Sequence, residues 1–274
     1  MITADNKRRI LSVVNIFETD DPDGKYDDIT ILPDGKNHER QVTYGRSQTT
    51  EQGNLKDLIV MYVSNRGTFA DDFRPYVSRI GVESLVDNRD FKDLLIRAAR
   101  EDNIMKTTQD AFFDKHYYEP ALKFFTDNGF DFPLSMLVIY DSYIHSNQIR
   151  PDIRSRFSEV PPAKGGDEKA WITAYVKARQ DWLSEKSGAL ARTVYRTEAM
   201  MNQIIAGNWL LTQAVNAHDG MMSRDIWFQK FDPLSILTVW FRNMSKSDIF
   251  FLCKKFAFRG LHLYFCKYLK FVQT

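Results

Sequence analysis

The stretch Met136-Leu137-Val138-Ile139-Tyr140-Asp141-Ser142-Tyr143-Ile144-His145 places a carboxyl group directly after an apolar run. The spacing of apolar residues around it predicts a helix over 133–147. A carboxylate in such a run is unfavourable unless a cation or several hydrogen-bond donors meet it. Asp141 therefore needs a partner, and arginine is the usual one, because its guanidinium group can donate two parallel hydrogen bonds to a carboxylate.

Two arginines further along the chain are candidates for this partner. Arg179 follows Tyr175 by four residues on the core face of a helix predicted over 167–186, so its side chain points inward or to the rim of the core. Arg196 lies in the next predicted helix, and Arg192, one turn earlier, could take its place. Such an ion network could also be purely structural, with no effect on catalysis.

Outward from this centre, most of the chain has helical periodicity, and a short β segment interrupts it near the N-terminus. Residues 29–32 form a predicted strand, Pro33-Asp34-Gly35 a turn, and 42–44 the returning strand of a small hairpin. The predicted helices cover 4–18, 55–63, 69–80, 90–100, 104–127, 133–147, 167–186 and 190–214. We therefore predict a mainly α fold with a small β excursion, of the α+β class.

The composition argues against several kinds of partner. The 37 lysines and arginines and 36 acids give a formal net charge of +1, so no global field attracts nucleic acid or an anionic membrane. No stretch reaches the roughly 20 apolar residues of a membrane span. The histidines and the two cysteines lack metal-ligand spacing. We expect a monomer with no metal, no cofactor, no nucleic-acid partner and no membrane span.

Two carboxyl groups near the N-terminus are candidates for acid–base chemistry of the kind that cuts glycosidic bonds. Glu18 ends an apolar helix, where partial desolvation favours the protonated form that a general acid needs. Asp34 lies in a turn, where access to water favours the ionised form of a general base, although turns also use aspartate for purely structural reasons. Residues 18–54 hold nine acids against four bases, a local field that would attract a polycation unless it is simply a solvated loop.

Several short motifs resemble the catalytic segment of the chitosanases of glycoside hydrolase family 46. They are Asn15-Ile16-Phe17-Glu18-Thr19, Leu32-Pro33-Asp34-Gly35, Thr43-Tyr44-Gly45-Arg46-Ser47-Gln48-Thr49-Thr50 and Gly53-Asn54-Leu55. The stretches around Tyr140-Asp141 and Tyr195-Arg196 resemble two later helices of the same family. The resemblance implies a lysozyme-like fold, with two helical lobes flanking a substrate cleft, in which Glu18 is the general acid and Asp34 the general base. Asp27 and Asp28 are alternative bases.

The resemblance also implies roles for residues around these two carboxyl groups. Asp141, Arg179 and Arg196 are expected to form a salt-bridge network behind Glu18. The expected substrate contacts are Tyr44, Arg46, Gln48, Thr49, Asn54 and His145. His145 could bond to Asp141 or to a sugar, or be a core histidine. The charged insertion 36–40 after the Asp-Gly turn departs from the family pattern.

The leading functional hypothesis is an endo-acting, inverting hydrolase that cleaves the β-1,4 linkages of the polysaccharide chitosan. A lysis enzyme or toxin that cleaves peptidoglycan is the runner-up, because lysozymes share the fold type, and a non-catalytic sugar-binding protein is a third possibility. Fold analogy alone does not settle the substrate.

The expected domain organisation and localisation follow from the two ends of the chain. We assign 1–245 to the catalytic domain and 246–274, with six basic residues and six phenylalanines, to a basic and aromatic C-terminal segment of unassigned role. The first residues lack the apolar run and cleavage site of a secretory signal. The expected extracellular or exported localisation would therefore require a trimmed precursor or a non-classical route.

Overall fold

The computed structural model describes residues 1–46, 48–218 and 223–226, and of residues 189, 218 and 223–226 only the backbone. The predicted segment 246–274 lies outside the described residues. The helices are α1 (Ala4–Thr19), α2 (Leu55–Ser64), α3 (Ala70–Val77), α4 (Arg89–Glu101), α5 (Asn103–Phe113), α6 (Glu119–Asp127), α7 (Pro133–Ser146), α8 (Pro151–Arg154), α9 (Glu168–Ser184), α10 (Gly188–Ala191) and α11 (Val194–Ile205). The strands are β1 (Ile29–Leu32), β2 (Gln41–Tyr44), β3 (Thr49–Thr50), β4 (Val215–His218) and β5 (Ser223–Ile226). The predicted class, mainly helical with a small β excursion, is confirmed.

Helix α1 has clear signals at both ends. Thr3 and Asn6 form a reciprocal capping box at its start, which satisfies two of the backbone N–H groups that the first turn leaves free. At its end, Asp20 adopts a left-handed conformation with φ of 52° and donates its backbone N–H to the Ile16 carbonyl. Because the helix stops there, Glu18 lies in its last turn.

The three-stranded sheet provides the turn that carries Asp34. Strands β1 and β2 are antiparallel, with Leu32 paired to Gln41, and β3 pairs with the end of β2. Both carboxylate oxygens of Glu51 accept backbone N–H groups, from Val42 at 3.1 Å and Leu85 at 2.6 Å. This buried carboxylate fixes β2 against the segment before α4.

The buried apolar side chains form two separate cores. The first contains residues of α1, α6, α7, α9 and α11, and the second contains residues of β2, α2, α3, α4 and α5. Helix α7 is the most buried element of the first core, since every residue from Pro133 to Ser142 is buried. The two cores correspond to the two helical lobes that the sequence predicts.

The helix predicted over 104–127 is wrong in one respect. A π-helical turn, Asp114–Tyr118, separates α5 from α6. Pro120 has no N–H to donate back along the helix, which favours a break in the regular α pattern here. The turn redirects the apolar face, because Phe112 and Phe113 belong to the second core whereas Tyr118, Ala121 and Phe125 belong to the first.

The helix predicted over 190–214 is also wrong at both ends. A separate short helix, α10, forms at the start of this range, α11 ends at Ile205, and Val215–His218 form strand β4. Gly207 adopts a left-handed conformation with φ of 67°, which terminates the helix. Strand β4 pairs antiparallel with β5.

No helix among the described residues is both long enough and apolar enough to cross a bilayer.

We predict that Gly45→Ala destabilises the protein by about 1–3 kcal/mol. Gly45 has φ of +81°, and a Cβ there would lie 2.4 Å from Oε1 of Gln109, a side chain held between the Arg46 N–H and the Tyr26 carbonyl. Gly165 is the matched control, because its φ is also +81° but a Cβ would meet nothing within 4 Å. Urea unfolding should show the larger loss for Gly45→Ala, and equal losses would contradict the proposed clash.

Candidate active site

Glu18 lies at the junction between the apolar α1 and a buried guanidinium group. Its side chain is 12% exposed, and its Oε1 is 2.5 Å from the Nη2 of Arg196. The C-terminal end of a helix carries partial negative charge and disfavours an anionic side chain. Arg196 supplies the compensating positive charge.

Arg196 is also bonded to Asp141, so one guanidinium joins two carboxyl groups. Its Nη1 is 2.9 Å from Asp141 Oδ1, and its Nη2 also donates to the Phe17 carbonyl at 3.2 Å. The other oxygen of Asp141 lies 2.6 Å from Nη1 of Arg179. The structure therefore brings the four predicted residues into one chain of contacts in the order Arg179, Asp141, Arg196 and Glu18. Arg192, the predicted alternative to Arg196, is exposed.

The electrostatics of this chain follow from its burial. Burial alone would raise the pKa of the fully buried Asp141, but the guanidinium groups of Arg179 and Arg196 outweigh that effect and lower it. Burial would lower the pKa of Arg196, yet the negative charges of Glu18 and Asp141 raise it above its ordinary value. Asp141 and Arg196 therefore stay charged, as a buried ion network requires.

Asp34 has a different environment. It is exposed in the segment between β1 and β2, and its Oδ1 accepts a hydrogen bond of 2.9 Å from the Gln41 amide. Strand β1 packs against the second core through Ile29 and Ile31, whereas Glu18 extends from the first core. The two candidate carboxyl groups are therefore held by different lobes.

The two alternative bases already have polar partners. Asp27 accepts a hydrogen bond of 2.6 Å from the Nε of Arg100 on α4. Asp28 accepts one of 3.0 Å from the Gln48 amide. Asp34 is the most exposed of the three and receives only the neutral amide of Gln41 within the described part of the chain.

Strand β2 places two polar side chains that the sequence reasoning did not single out. Val42 and Tyr44 face the second core, so Gln41 and Thr43 face the opposite side of the sheet. Gln41 contacts Asp34, and the buried Oγ1 of Thr43 has no hydrogen-bond partner among the described residues. The alternation of apolar and polar residues over 41–44 was the available signal.

Three of the predicted substrate contacts are buried. Tyr44 is fully buried and donates its hydroxyl to the Leu95 carbonyl at 2.9 Å. The Thr49 hydroxyl donates to the Tyr44 carbonyl at 2.8 Å. Arg46 is 4% exposed, and its Nε lies 3.2 Å from Oδ1 of Asp110. The structure gives these three side chains internal partners and does not bring them to an open surface.

The other three predicted contacts are only partly buried. Gln48 bonds to Asp28, as described above, and the Asn54 amide donates to the Tyr117 hydroxyl at 2.5 Å. His145 is partly buried one turn after Asp141, and its Nδ1 has no partner in the part of the chain that the structure describes. Tyr117 was missed by the sequence reasoning because the helical periodicity around it continues through the π turn.

No group of three or more metal-ligating side chains occurs among the described residues.

We predict that Arg196→Ala lowers the free energy of unfolding by about 3–5 kcal/mol, because it leaves the buried Asp141 with one cation and Glu18 with none. Arg192→Ala is the control and should change it by less than about 0.5 kcal/mol, since this side chain is exposed. Urea unfolding of Arg196→Ala, Asp141→Ala and the double variant tests the coupling. Losses that add to within about 0.5 kcal/mol would show that the two groups are independent.

We further predict that His145 makes stability depend on pH. Burial lowers the pKa of His145 to about 3, with Arg196 and Arg179 acting in the same direction and Asp141 opposing them. The unfolded chain takes up this proton near pH 6.5 and the folded protein does not, so stability falls as the pH drops below about 6.5. Between pH 7 and pH 5, the free energy of unfolding of wild type should fall by about 1–2 kcal/mol more than that of His145→Gln. The exposed His38→Gln should behave as wild type, and equal losses in wild type and His145→Gln would refute the effect.

Comparison with known proteins places this arrangement in a family. The sequence profile of Glycosyl hydrolase family 46 matches residues 12–215. A chitosanase of Bacillus subtilis (strain 168) is 25% identical over 207 residues, covering 71% of this chain and 73% of the relative.

Two solved structures share the fold. A family 46 chitosanase of Gynuella sunshinyii in complex with chitotetraose superposes with a TM-score of 0.71 at 20% identity, covering 82% of this chain and 99% of the other. The native chitosanase of Bacillus subtilis MY002 gives a TM-score of 0.70 at 20% identity, covering 82% and 100%. The chain belongs to glycosyl hydrolase family 46 and is a glycoside hydrolase.

Proposed function

We propose that this protein is an endo-acting chitosanase that hydrolyses β-1,4 linkages with inversion, using Glu18 as general acid and Asp34 as general base. The observation that carries the proposal is the contrast between the two carboxyl groups. Glu18 is largely buried against a guanidinium network, whereas Asp34 is exposed in a turn held by the other lobe. Inverting hydrolysis needs one carboxyl on each side of the scissile bond, with room for a water molecule beside the base.

The reaction follows from this placement. The Glu18 carboxyl gives its proton to the glycosidic oxygen as the bond from that oxygen to the anomeric carbon breaks. A water molecule attacks the anomeric carbon from the opposite face and passes its proton to Asp34. The proton returns to Glu18 through solvent after the products leave, so neither carboxyl is consumed.

Arg196 and Asp141 act together on the acid in this proposal. Asp141 binds the other side of the same guanidinium and offsets part of its positive charge. The network therefore fixes the position of the Glu18 carboxyl at the end of α1.

Gln41 and Thr43 support the base. Gln41 holds one oxygen of Asp34, which orients the carboxylate. Thr43 lies on the same side of β2, and its buried hydroxyl has no hydrogen-bond partner among the described residues. In this proposal a movement of the side chain brings that hydroxyl to the attacking water.

The charge around the site favours a cationic polysaccharide. Asp21, Asp23, Asp28 and Asp34 are at least partly exposed and have no ion-pair partner among the described residues. Carboxylates without cations attract the ammonium groups of glucosamine units and repel the anionic groups of peptidoglycan. The names of the relatives, chitosanases in each case, agree with this choice.

We predict that Glu18→Gln and Asp34→Asn each lower the turnover of chitosan at least about 100-fold, because each removes a proton-transfer group and keeps the shape of the side chain. Asp34→Asn should do so with little loss of stability, since Asp34 is exposed. Asp27→Asn and Asp28→Asn, in the neighbouring loop between α1 and β1, are matched controls and should retain substantial activity. Release of reducing ends is the measurement, with bacterial cell walls as a second substrate. If Asp28→Asn is the inactive variant, the base is misassigned. Release from cell walls alone would replace chitosan with peptidoglycan.

The same wild-type reaction, followed by NMR of the newly formed anomeric proton, tests inversion. The first product should be the α anomer. A β anomer in the first turnovers would indicate retention and a nucleophilic role for the second carboxylate.

A further inference from the structure

Tyr117 occupies a position that no other described tyrosine shares. It lies within the π-helical turn and packs against both hydrophobic cores. Its ring is partly exposed. π-Helical turns are rare and are often found at functional sites. The turn therefore presents a tyrosine at the boundary between the two lobes.

Tyr117 is close enough to Glu18 for the charge of the acid to affect it. Burial raises the pKa of Tyr117; the hydrogen bond from Asn54 opposes this effect, and the negative charge of Glu18 adds to it. The hydroxyl therefore keeps its proton throughout the range in which a glycosidase works. A neutral O–H is a hydrogen-bond donor that is always available.

The hydroxyl of Tyr117 is oriented by Asn54. The Nδ2 of Asn54 donates to the Tyr117 oxygen at 2.5 Å, and an amide nitrogen can only donate. The hydroxyl proton must therefore point elsewhere, and no acceptor for it is found among the described residues. Asn54 precedes α2 and makes no side-chain cap for that helix, so this bond is its main polar contact.

We propose that Tyr117 is a substrate-binding residue: its hydroxyl donates a hydrogen bond to the sugar unit bound beside Glu18, and Asn54 sets the direction of that bond. The acceptor is an oxygen of the sugar, since a protonated amino group has no lone pair to offer. The inference rests on the proposed function, because it requires a glycan at Glu18. The carboxyl pair and the arginine network give the π turn no role, and this inference assigns it one.

The test compares Tyr117→Phe with Tyr118→Phe. Tyr118 lies in the same turn but is only 5% exposed, and the Nζ of Lys7 lies 4.3 Å from the centroid of the Tyr118 ring. Tyr117→Phe keeps the ring and its packing, so thermal stability should change little. Its kcat/KM on glucosamine oligomers should fall roughly 5- to 10-fold, the effect of one hydrogen bond, while Tyr118→Phe stays within about twofold of wild type.

Binding separates contact with the substrate from a structural role. In the inactive Glu18→Gln background, calorimetry should show that Tyr117→Phe weakens the binding of a glucosamine hexamer roughly 5- to 10-fold. Adding Asn54→Ala should then cause little further loss, if Asn54 acts through the hydroxyl. Loss of thermal stability with unchanged binding would overturn the proposal in favour of a contact that only holds the lobes together.

The failures of the two proposals are distinguishable. If wild type cleaves chitosan and Tyr117→Phe has the same kcat/KM and the same affinity, the inference about Tyr117 is overturned and the proposed function stands. If wild type neither binds nor cleaves glucosamine oligomers, both are overturned.

Discussion

The buried carboxylate of Asp141 is the constraint on which the rest of the site depends. It has no access to water in the middle of α7, so it is stable only if cations reach it from neighbouring helices. Arg179 from α9 and Arg196 from α11 do so, and the three helices are thereby fixed relative to one another. Arg196 then extends to Glu18. The position of Glu18 at the end of α1 therefore depends on the cations that Asp141, on another helix, requires.

The division of the two carboxyl groups between the lobes separates their environments. Glu18 belongs to a core that excludes water and supplies fixed charges, whereas Asp34 belongs to a small sheet whose turn is open. Two groups of the same chemical type can perform opposite proton transfers only if their surroundings differ. Here the difference arises from the fold, because each carboxyl is attached to a separate hydrophobic core.

Much of this arrangement could be predicted from the sequence, and the reasons are local. Asp141 follows four apolar residues, so its need for cations is evident from the sequence. The turn residues around Asp34 and the end of α1 at Glu18 are evident from the sequence as well. Side-chain direction is harder to predict. Tyr44 and Thr49, two of the predicted substrate contacts, face inward, which a motif does not reveal. The periodicity of apolar residues did not reveal the π turn, although Pro120 inside the predicted helix 104–127 indicated a break. Tyr117 was overlooked because it lies in that turn.

The π turn also determines where the chain can tolerate changes of length. Each residue of a helix rotates the next by about 100°. Deleting one residue between Asp114 and Tyr118 would turn the apolar face of α6 away from the first core while α5 stayed in the second. By contrast, the insertion at 36–40 lies at the exposed end of a hairpin, where added residues displace no core side chain. Variation in chain length is thus expected to accumulate beside Asp34, the proposed general base, and to be excluded from the helical connection between the lobes. The surroundings of the two carboxyl groups therefore differ in how freely they can diverge.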